Sequence, residues 1–168
     1  LYLTDGVSEF VLQMLGSYKD KKFVNVSGAD FDISTESEKQ ALAQLNDDSK
    51  DMLEEMKNSL GDKVQSVRFT SRLSSHPVCL ASEGGLSVEM EKVLNSVPDG
   101  NKVKAQLVLE INKDHDIASR LKELFETDKD TLAKYTNVLY SAARLIEGLP
   151  VENPTELSAI LCDMMLGK

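Results

Sequence analysis

The sequence predicts an α+β domain, in which a small three-stranded sheet and its helices are followed by a C-terminal helical hairpin. Three observations lead to this fold class. Apolar segments typical of strands begin at Val64, Pro77 and Lys102. Amphipathic segments with helical periodicity surround them, and the final segment, from Leu157 to Leu166, is apolar almost throughout.

The composition is that of an ordinary soluble globular protein, because 41% of the 168 residues are hydrophobic and 28% are charged. The net charge of -9 and the lack of a Lys/Arg cluster argue against nucleic-acid binding. The acidity also disfavours an anionic membrane surface, and no apolar run is long enough to span a bilayer. The start LYLTDGVSEF lacks an initiator methionine and a signal peptide, so we expect a piece of a longer protein.

The first 33 residues are predicted to form a small unit of their own. The letters LYLT predict a strand, VSEFVLQML an amphipathic helix, and KKFVNVS a second strand. The polar and turn-prone stretch SGADFDISTESE follows and is the predicted linker. The predicted boundary therefore separates residues 1–33 from residues 34–168.

A long helix is predicted to begin near Thr35 or Glu36 and to end before Gly61. Thr35 and Glu38 have the spacing of a capping box, and Gly61 stands where a C-terminal cap belongs. One apolar stripe runs through the segment: Leu42, Leu45, Met52, Leu53, Met56 and Leu60.

Three strands are predicted after this helix: VQSVRFT from Val64, PVCLAS from Pro77 and KVKAQLVLEIN from Lys102. The third has the most regular alternation of apolar and polar residues. Its apolar positions are Val103, Ala105, Leu107, Leu109 and Ile111, and they alternate with Lys104, Gln106 and Glu110.

A short helix is predicted within GGLSVEMEKVLNSVPDG, residues 84–100, between the second and third strands. Its apolar residues, which lie on one side of a 3.6-residue helix, are Leu86, Met90, Val93, Leu94 and Val97. That side either packs in the core of the protein or contacts another molecule. On the residues alone, core packing is favoured.

Three helices are predicted to complete the chain, the first of them around DIASRLKELF. The second, within DTLAKYTNVLYSAARLIEG, has apolar residues at alternating spacings of three and four, and Gly148 and Pro150 end it. The third begins at NPTE, where Asn153 is the predicted cap and Pro154 the first helical residue.

The last helix predicts self-association. Between Leu157 and Leu166 only Ser158 and Asp163 are polar, so the helix must be covered on more than one side. Two copies of the hairpin around a twofold axis would form a four-helix bundle. The alternative is that both helices pack on the sheet of their own domain. The predicted dimer-interface residues are Leu132, Tyr135, Leu139, Ala142, Ile146, Leu157, Ile160, Leu161, Met164 and Met165.

No catalytic or metal-binding constellation is predicted. The chain has two histidines, His76 and His115, and two cysteines, Cys79 and Cys162, none with the spacing of a zinc site or a redox motif. Both thiols are expected to be reduced and buried in a cytosolic protein. A hydrolase built from His115, Asp114 and a serine is the disfavoured enzyme alternative.

Several separated stretches resemble the Hsp90-type chaperones. LYLTDGVSEFVLQML followed by KDKKFVNVS is similar to the end of their middle domain, and VQSVRFTSRLSSHPVCLASEGG to their C-terminal sheet. LEINKDHDIASRL resembles a further family stretch, with Lys113 in place of the usual proline, and VLYSAARLIEGLPVENPTELSAIL resembles the closing helix pair. The resemblance covers the whole chain in order, and SSHPVCLASEGGLSVEMEKVLN is similar to the bacterial branch.

The resemblance implies that residues 1–33 end the middle domain and that residues 34–168 are the C-terminal dimerisation domain. It implies a cytoplasmic homodimer that contacts unfolded or partly folded client proteins, with no nucleic-acid or membrane partner. ATP and magnesium would bind in an N-terminal domain outside this chain, so the chain itself is expected to be non-catalytic and without a cofactor.

The resemblance also reverses the expectation for the short helix. It implies that the helix presents Leu86, Met90, Val93 and Leu94 to clients. The alternative function from a different class is a stand-alone α+β adaptor that docks on another protein through its C-terminal hairpin.

Overall fold

The computed structural model describes residues 3, 6–26, 28, 34–96 and 103–167, and the protein is α+β as predicted. In chain order the elements are α1 (Gly6–Leu15), β1 (Ser17–Tyr18), β2 (Lys21–Lys22), α2 (Glu36–Asp48), α3 (Lys50–Leu60), a 3₁₀ turn (Gly61–Lys63), β3 (Ser66–Thr70), β4 (Val78–Glu83), α4 (Val88–Asn95), β5 (Gln106–Asn112), α5 (Asp116–Thr127), α6 (Lys129–Ile146) and α7 (Pro154–Met165). No helix among these described segments is long and apolar enough to cross a membrane.

The chain divides into two compact units. Unit 1 consists of Leu1–Phe31 with Ala81–Gln106, and unit 2 consists of Asp32–Leu80 with Leu107–Lys168. The sequence predicts a boundary after residue 33 between two domains of a longer protein. The division into units 1 and 2 does not test that boundary, so it stays a prediction. Residues 1, 2 and 4 of the predicted strand LYLT, half of the linker and Val97 lie outside the described residues.

Unit 1 contains the predicted helix α1, a two-stranded antiparallel ladder and the short helix α4. Ser17 pairs with Lys22, and Tyr18 with Lys21, around a turn in which Lys19 and Asp20 both have positive φ. The predicted strand KKFVNVS is reduced to Lys21–Lys22. Its partner strand is also two residues long, and beyond it the Phe23 N–H donates to the Gly16 carbonyl at 3.1 Å.

Unit 2 begins with the predicted capping box. The Glu38 N–H donates to Thr35 Oγ1 at 3.4 Å, and the Thr35 N–H donates to Glu38 Oε2 at 2.7 Å. The predicted single long helix is wrong, because Ser49 leaves the helical region at φ -103° and ψ 9° and separates α2 from α3. Of these two helices, only α3 has buried residues: Met52, Leu53, Met56 and Leu60.

The three predicted strands form a sheet with the order β3-β5-β4, in which β3 and β5 are parallel. The strands begin later than the sequence patterns, so Val103 and Ala105 precede β5. Every residue of β5 except Gln106 is buried, so the alternating pattern did not predict the burial of Glu110. Central parallel strands are commonly buried on both faces.

The segment between β3 and β4 covers the polar face of β5. The Asn112 side-chain amide donates to the backbone carbonyls of Ser74 and His76, at 3.3 and 3.0 Å. Arg72, from the same segment, donates to the carboxylate of Glu110. This covering segment explains why both faces of β5 are buried.

The three final helices are present, and the predicted Asn153 cap of α7 is confirmed. Asp128 caps α6 by accepting a hydrogen bond from the Thr131 N–H at 3.0 Å. Asn153 caps α7 by accepting from the Glu156 N–H at 3.2 Å, and Pro154 is the first helical residue. Gly148, at φ 67°, follows the end of α6 as predicted.

Candidate functional site

The first candidate surface lies on α4 in unit 1, where α4 contacts α1. Ser87 is the N-cap of α4 and accepts a hydrogen bond from the Met90 N–H at 3.1 Å. Its hydroxyl donates to Glu9 Oε2 on α1 at 2.7 Å. Gln13, one turn further along α1, donates to the carbonyl of Gly85 at 3.2 Å. The start of α4 is therefore held by two side chains of α1.

The other end of α4 is fixed to the segment before β5. The Asn95 side chain accepts from the Val103 N–H at 3.0 Å and donates to the Val103 carbonyl at 2.8 Å. Glu91 Oε2 accepts from the Ala105 N–H at 2.7 Å. These three bonds satisfy backbone groups of Val103 and Ala105, which precede β5. They also fix the orientation of α4.

The four sequence-predicted client positions differ in exposure. Leu94 is 37% exposed, and Leu86 and Val93 are half-buried. Met90 is only 5% exposed, as is typical of a core side chain. In this conformation Leu94 offers the largest exposed fraction of the four, and Met90 is accessible only if α4 moves. Whether any of the four contacts a client stays a prediction.

The second candidate surface is formed by the end of α6 and by α7 in unit 2. No described residue of α7 is buried, although most of its side chains are apolar. Met165 is 86% exposed and Leu161 is 40% exposed. Leu145 and Ile146, at the end of α6, are also exposed. Because α7 is apolar on most sides and contacts α6 on one of them, it leaves apolar side chains open to solvent.

The ten predicted interface residues fall into three groups by exposure. Leu132 and Leu139 are buried within unit 2, where α6 contacts α3 and α5, so little of their surface remains for a second copy. The exposed group is Ile146, Leu161 and Met165. The half-buried group is Tyr135, Ala142, Leu157, Ile160 and Met164.

A polar cluster joins α6 to the start of α7. Arg144 Nε donates to the Pro150 carbonyl at 2.8 Å, and Arg144 Nη1 donates to Tyr140 Oη at 3.0 Å and to Glu152 Oε1 at 3.1 Å. The Tyr140 hydroxyl donates to Glu152 Oε1 at 3.3 Å, and burial raises the pKa of this phenol. This cluster fixes the turn between the two helices.

A small open cleft with a cavity volume of about 20 Å³ lies between α6 and α7 next to this cluster. Its lining includes one cation, Lys63, and two carboxylates, Glu152 and Glu156. An excess of carboxylates is unfavourable for the triphosphate of ATP. Among the described residues, no group of three or more His, Cys, Asp or Glu side chains is arranged to hold a metal ion.

The Glu110 cluster is the feature that the sequence pattern missed. Glu110 is fully buried and accepts hydrogen bonds from two arginines, from Arg68 Nη2 at 2.6 Å and from Arg72 Nη2 at 2.5 Å. Arg68 lies directly opposite Glu110 in the parallel register. The cluster joins β3, β5 and the segment between β3 and β4. The two guanidinium groups offset the cost of burying the Glu110 carboxylate.

The two cysteines differ from each other, and both are free thiols. Cys79 is half-buried and donates to Glu110 Oε2 at 3.6 Å. Burial and the nearby Glu110 carboxylate raise its pKa to about 12. Cys162 is exposed on α7, so the expectation that it is buried is wrong for the single chain. The other described residues of α7 are likewise exposed or half-buried.

The geometry around His115 gives this residue a structural role. His115 is the N-cap of α5, and its Nδ1 accepts from the Ile117 N–H at 3.1 Å. Asp114 instead accepts from Lys113 Nζ at 2.7 Å. The Asp114 carboxylate therefore does not orient the His115 ring through Nδ1, as a hydrolytic triad requires.

Comparison with known proteins decides the family. A family model described as "Hsp90 protein" matches residues 1–168. The chain belongs to the Hsp90 family. Proteins named "Chaperone protein HtpG" are similar to this Hsp90-family chain: the one from Bacillus subtilis strain 168 is 47% identical over 99% of the chain, and the one from Shouchella clausii is 49% identical over 99%. The one from Clostridium botulinum strain Langeland is 46% identical over 98%. The chain spans 26% of the length of these curated relatives.

Proposed function

We propose that this chain is the dimerisation and client-contacting segment of an Hsp90-type chaperone, and that it has no catalytic activity of its own. The observation that carries the proposal is the exposed apolar surface of α7 in a chain of the Hsp90 family. A second copy of the same surface is the occupant that fits it. The predicted division into the end of a middle domain, residues 1–33, and a dimerisation domain, residues 34–168, is part of this proposal.

The proposed interface is a four-helix bundle made by α6 and α7 of two copies, packed as a helical hairpin against its twofold equivalent. Its centre would be formed by Leu161 and Met165 on α7 and by Leu145 and Ile146 at the end of α6, all of which are exposed in the single chain. Burying apolar surface contributes about 25 cal/mol per Å², so an interface of this composition favours association. Leu132 and Leu139 would support the bundle from within each copy.

Sedimentation equilibrium tests the dimer. We expect a mass near twice 18.6 kDa at low micromolar concentration, and the monomer mass for the double variant Leu161→Glu/Met165→Glu. The matched control is Met14→Glu on α1, because Met14 is 91% exposed and α1 is outside the proposed interface. A wild-type monomer would contradict the proposal and favour the adaptor alternative. Equal dissociation by both changes would contradict the placement of the interface.

Client contact is proposed for α4. Support comes from its apolar residues Leu86, Val93 and Leu94, which retain accessible surface, and from Met90, whose flexible side chain suits varied partners. We expect Leu94→Ser to weaken binding of reduced, carboxymethylated α-lactalbumin, an unfolded protein probe, with little loss of stability. Leu15→Ser, at an exposed leucine of α1, is the matched control. Unchanged binding by Leu94→Ser would contradict the proposed role of α4.

The remaining parts of the proposal concern the longer protein. ATP and magnesium would be bound by a region outside this chain, and dimerisation here would keep two such regions at high local concentration. The proposed location is the cytoplasm, on the basis of the resemblance to the bacterial branch. We expect no ATP binding by this chain in calorimetric titration with ATP and magnesium, and a measurable affinity would contradict that expectation.

A further inference from the structure

We propose that Glu9 is a positioning residue that holds α4 against α1, so that loss of its bond to Ser87 releases α4 and makes Met90 accessible. The connection between Met90 and clients rests on the proposed function, whereas the positioning of α4 by Glu9 does not. Met90 is predicted to contact clients, yet it is buried in the described conformation. Release of α4 would reconcile these two statements.

The contact works through the chemistry of a hydroxyl group. Ser87 has one O–H, which it donates to Glu9 Oε2 at 2.7 Å. Donation in that direction leaves the lone pairs of the same oxygen for the Met90 N–H, at 3.1 Å. Glu9 therefore fixes the orientation of the N-cap hydroxyl. Because Ser87 is buried, a released hydroxyl would not readily find water as a substitute partner.

Glu9 is itself held in place. Its second oxygen, Oε1, accepts from Asn25 Nδ2 at 2.7 Å, so both oxygens of the carboxylate are engaged by donors. Glutamine at this position has only one acceptor oxygen, so it cannot accept both bonds. The negative charge is also favourable near the N-terminus of α4, where the helix dipole is positive.

The buried side of α4 depends on this attachment. Val88 and Met90, the buried residues of α4, lie in its first turn, next to the cap. Loss of the cap frees the backbone N–H groups of that turn, and an unsatisfied turn at a helix end frays first. A movement of α1 would have the same effect, so the Glu9–Ser87 bond couples the position of α1 to the accessibility of Met90.

Hydrogen–deuterium exchange tests the positioning without any client. We expect Glu9→Gln and Ser87→Ala each to increase exchange of the amides in α4 by about fivefold, the effect of losing a typical N-cap. Exchange in α6 should not change. If Glu9 acts through Ser87, the double variant exchanges like Ser87→Ala alone, whereas additive effects or unchanged exchange would overturn the proposal. Glu89→Gln, on the exposed side of the same first turn, is the matched control.

Binding of reduced, carboxymethylated α-lactalbumin separates this inference from the proposed function. Tighter binding by Glu9→Gln together with faster exchange supports release of α4 as the step that exposes Met90. Faster exchange with unchanged binding would retain the positioning role and overturn its connection with clients. Unchanged exchange would overturn the positioning role even if Leu94→Ser shows that α4 contacts clients.

Discussion

At the scale of single residues, the most informative side chain is Glu110. Most carboxylates that the structure describes are exposed, but Glu110 is fully buried and accepts hydrogen bonds from Arg68 and Arg72. Removing one member of a buried ion cluster is more costly than the cluster itself is stabilising, because the remaining charges lose their partner. Arg68 and Arg72 retain some contact with solvent, which limits this cost.

Replacing Glu110 by glutamine tests this dependence. We expect Glu110→Gln to lower the free energy of unfolding by about 3 kcal/mol, because Arg68 and Arg72 lose their charge-assisted hydrogen bonds to a buried carboxylate. Urea unfolding at one fixed protein concentration measures the change. Glu123→Gln, which removes an exposed carboxylate paired with Arg120, should change the free energy of unfolding by less than about 0.5 kcal/mol. Similar losses in both variants would contradict a special role for Glu110.

We expect the thiol of Cys79 to be unreactive in the folded chain. Thiolate is the nucleophile, and burial together with Glu110 raises the pKa of Cys79 to about 12, so the thiol stays protonated at pH 9. We expect iodoacetamide at pH 9 to alkylate Cys79 in urea but not in the native protein, as measured by peptide mass spectrometry. Native alkylation of Cys79 that rises with a midpoint near pH 9 would show that the thiol is not protected.

At the scale of elements, local signals predicted the helix starts. The Thr35 capping box and the Asn153–Pro154 start of α7 depend on neighbouring residues only, and both are present. Glu110 is held by arginines about 40 positions away, and α4, which carries the buried Met90, contacts the distant helix α1, so local periodicity could not predict either arrangement. Nor did the apolar stripe across α2 and α3 indicate the break at Ser49, because the stripe continues through it.

The cap of α7 should have a large effect, because no side chain of α7 is buried in the single chain. We expect Asn153→Ala to cost about 1 kcal/mol of helix stability and to weaken self-association in sedimentation equilibrium. Hydrogen–deuterium exchange should increase in α7 but not in α3. The control Asn58→Ala changes an exposed asparagine within α3, outside any N-cap, and identical behaviour of the two variants would rule out an effect of capping.

At the scale of the whole molecule, the proposed dimer links stability to concentration. Unit 2 exposes apolar surface on α7, and covering it with a second copy would stabilise only the folded state. The apparent free energy of unfolding of a dimer depends on the concentration of the chain, whereas that of a monomer does not. Thermal unfolding therefore distinguishes the two states without separating them.

We expect the Tm of the wild-type chain to rise by about 2 °C for each tenfold increase in protein concentration. The Leu161→Glu/Met165→Glu variant should have a Tm that does not depend on concentration, since it has no partner to gain. Differential scanning calorimetry over a hundredfold concentration range makes the comparison. A wild-type Tm that is constant over this range would be incompatible with dissociation coupled to unfolding.

The strand order β3-β5-β4 also has a consequence for the synthesis of the chain. β5 is the last of the three strands in sequence, yet it pairs with both others, and Arg68 and Glu110 meet across 42 positions. On the ribosome, β3 and β4 therefore emerge before the strand that joins them, and their hydrogen-bonding edges are open to other chains until Asn112 has been made. We therefore expect the nascent protein to be more prone to aggregation at this stage than after β5 has paired with both strands.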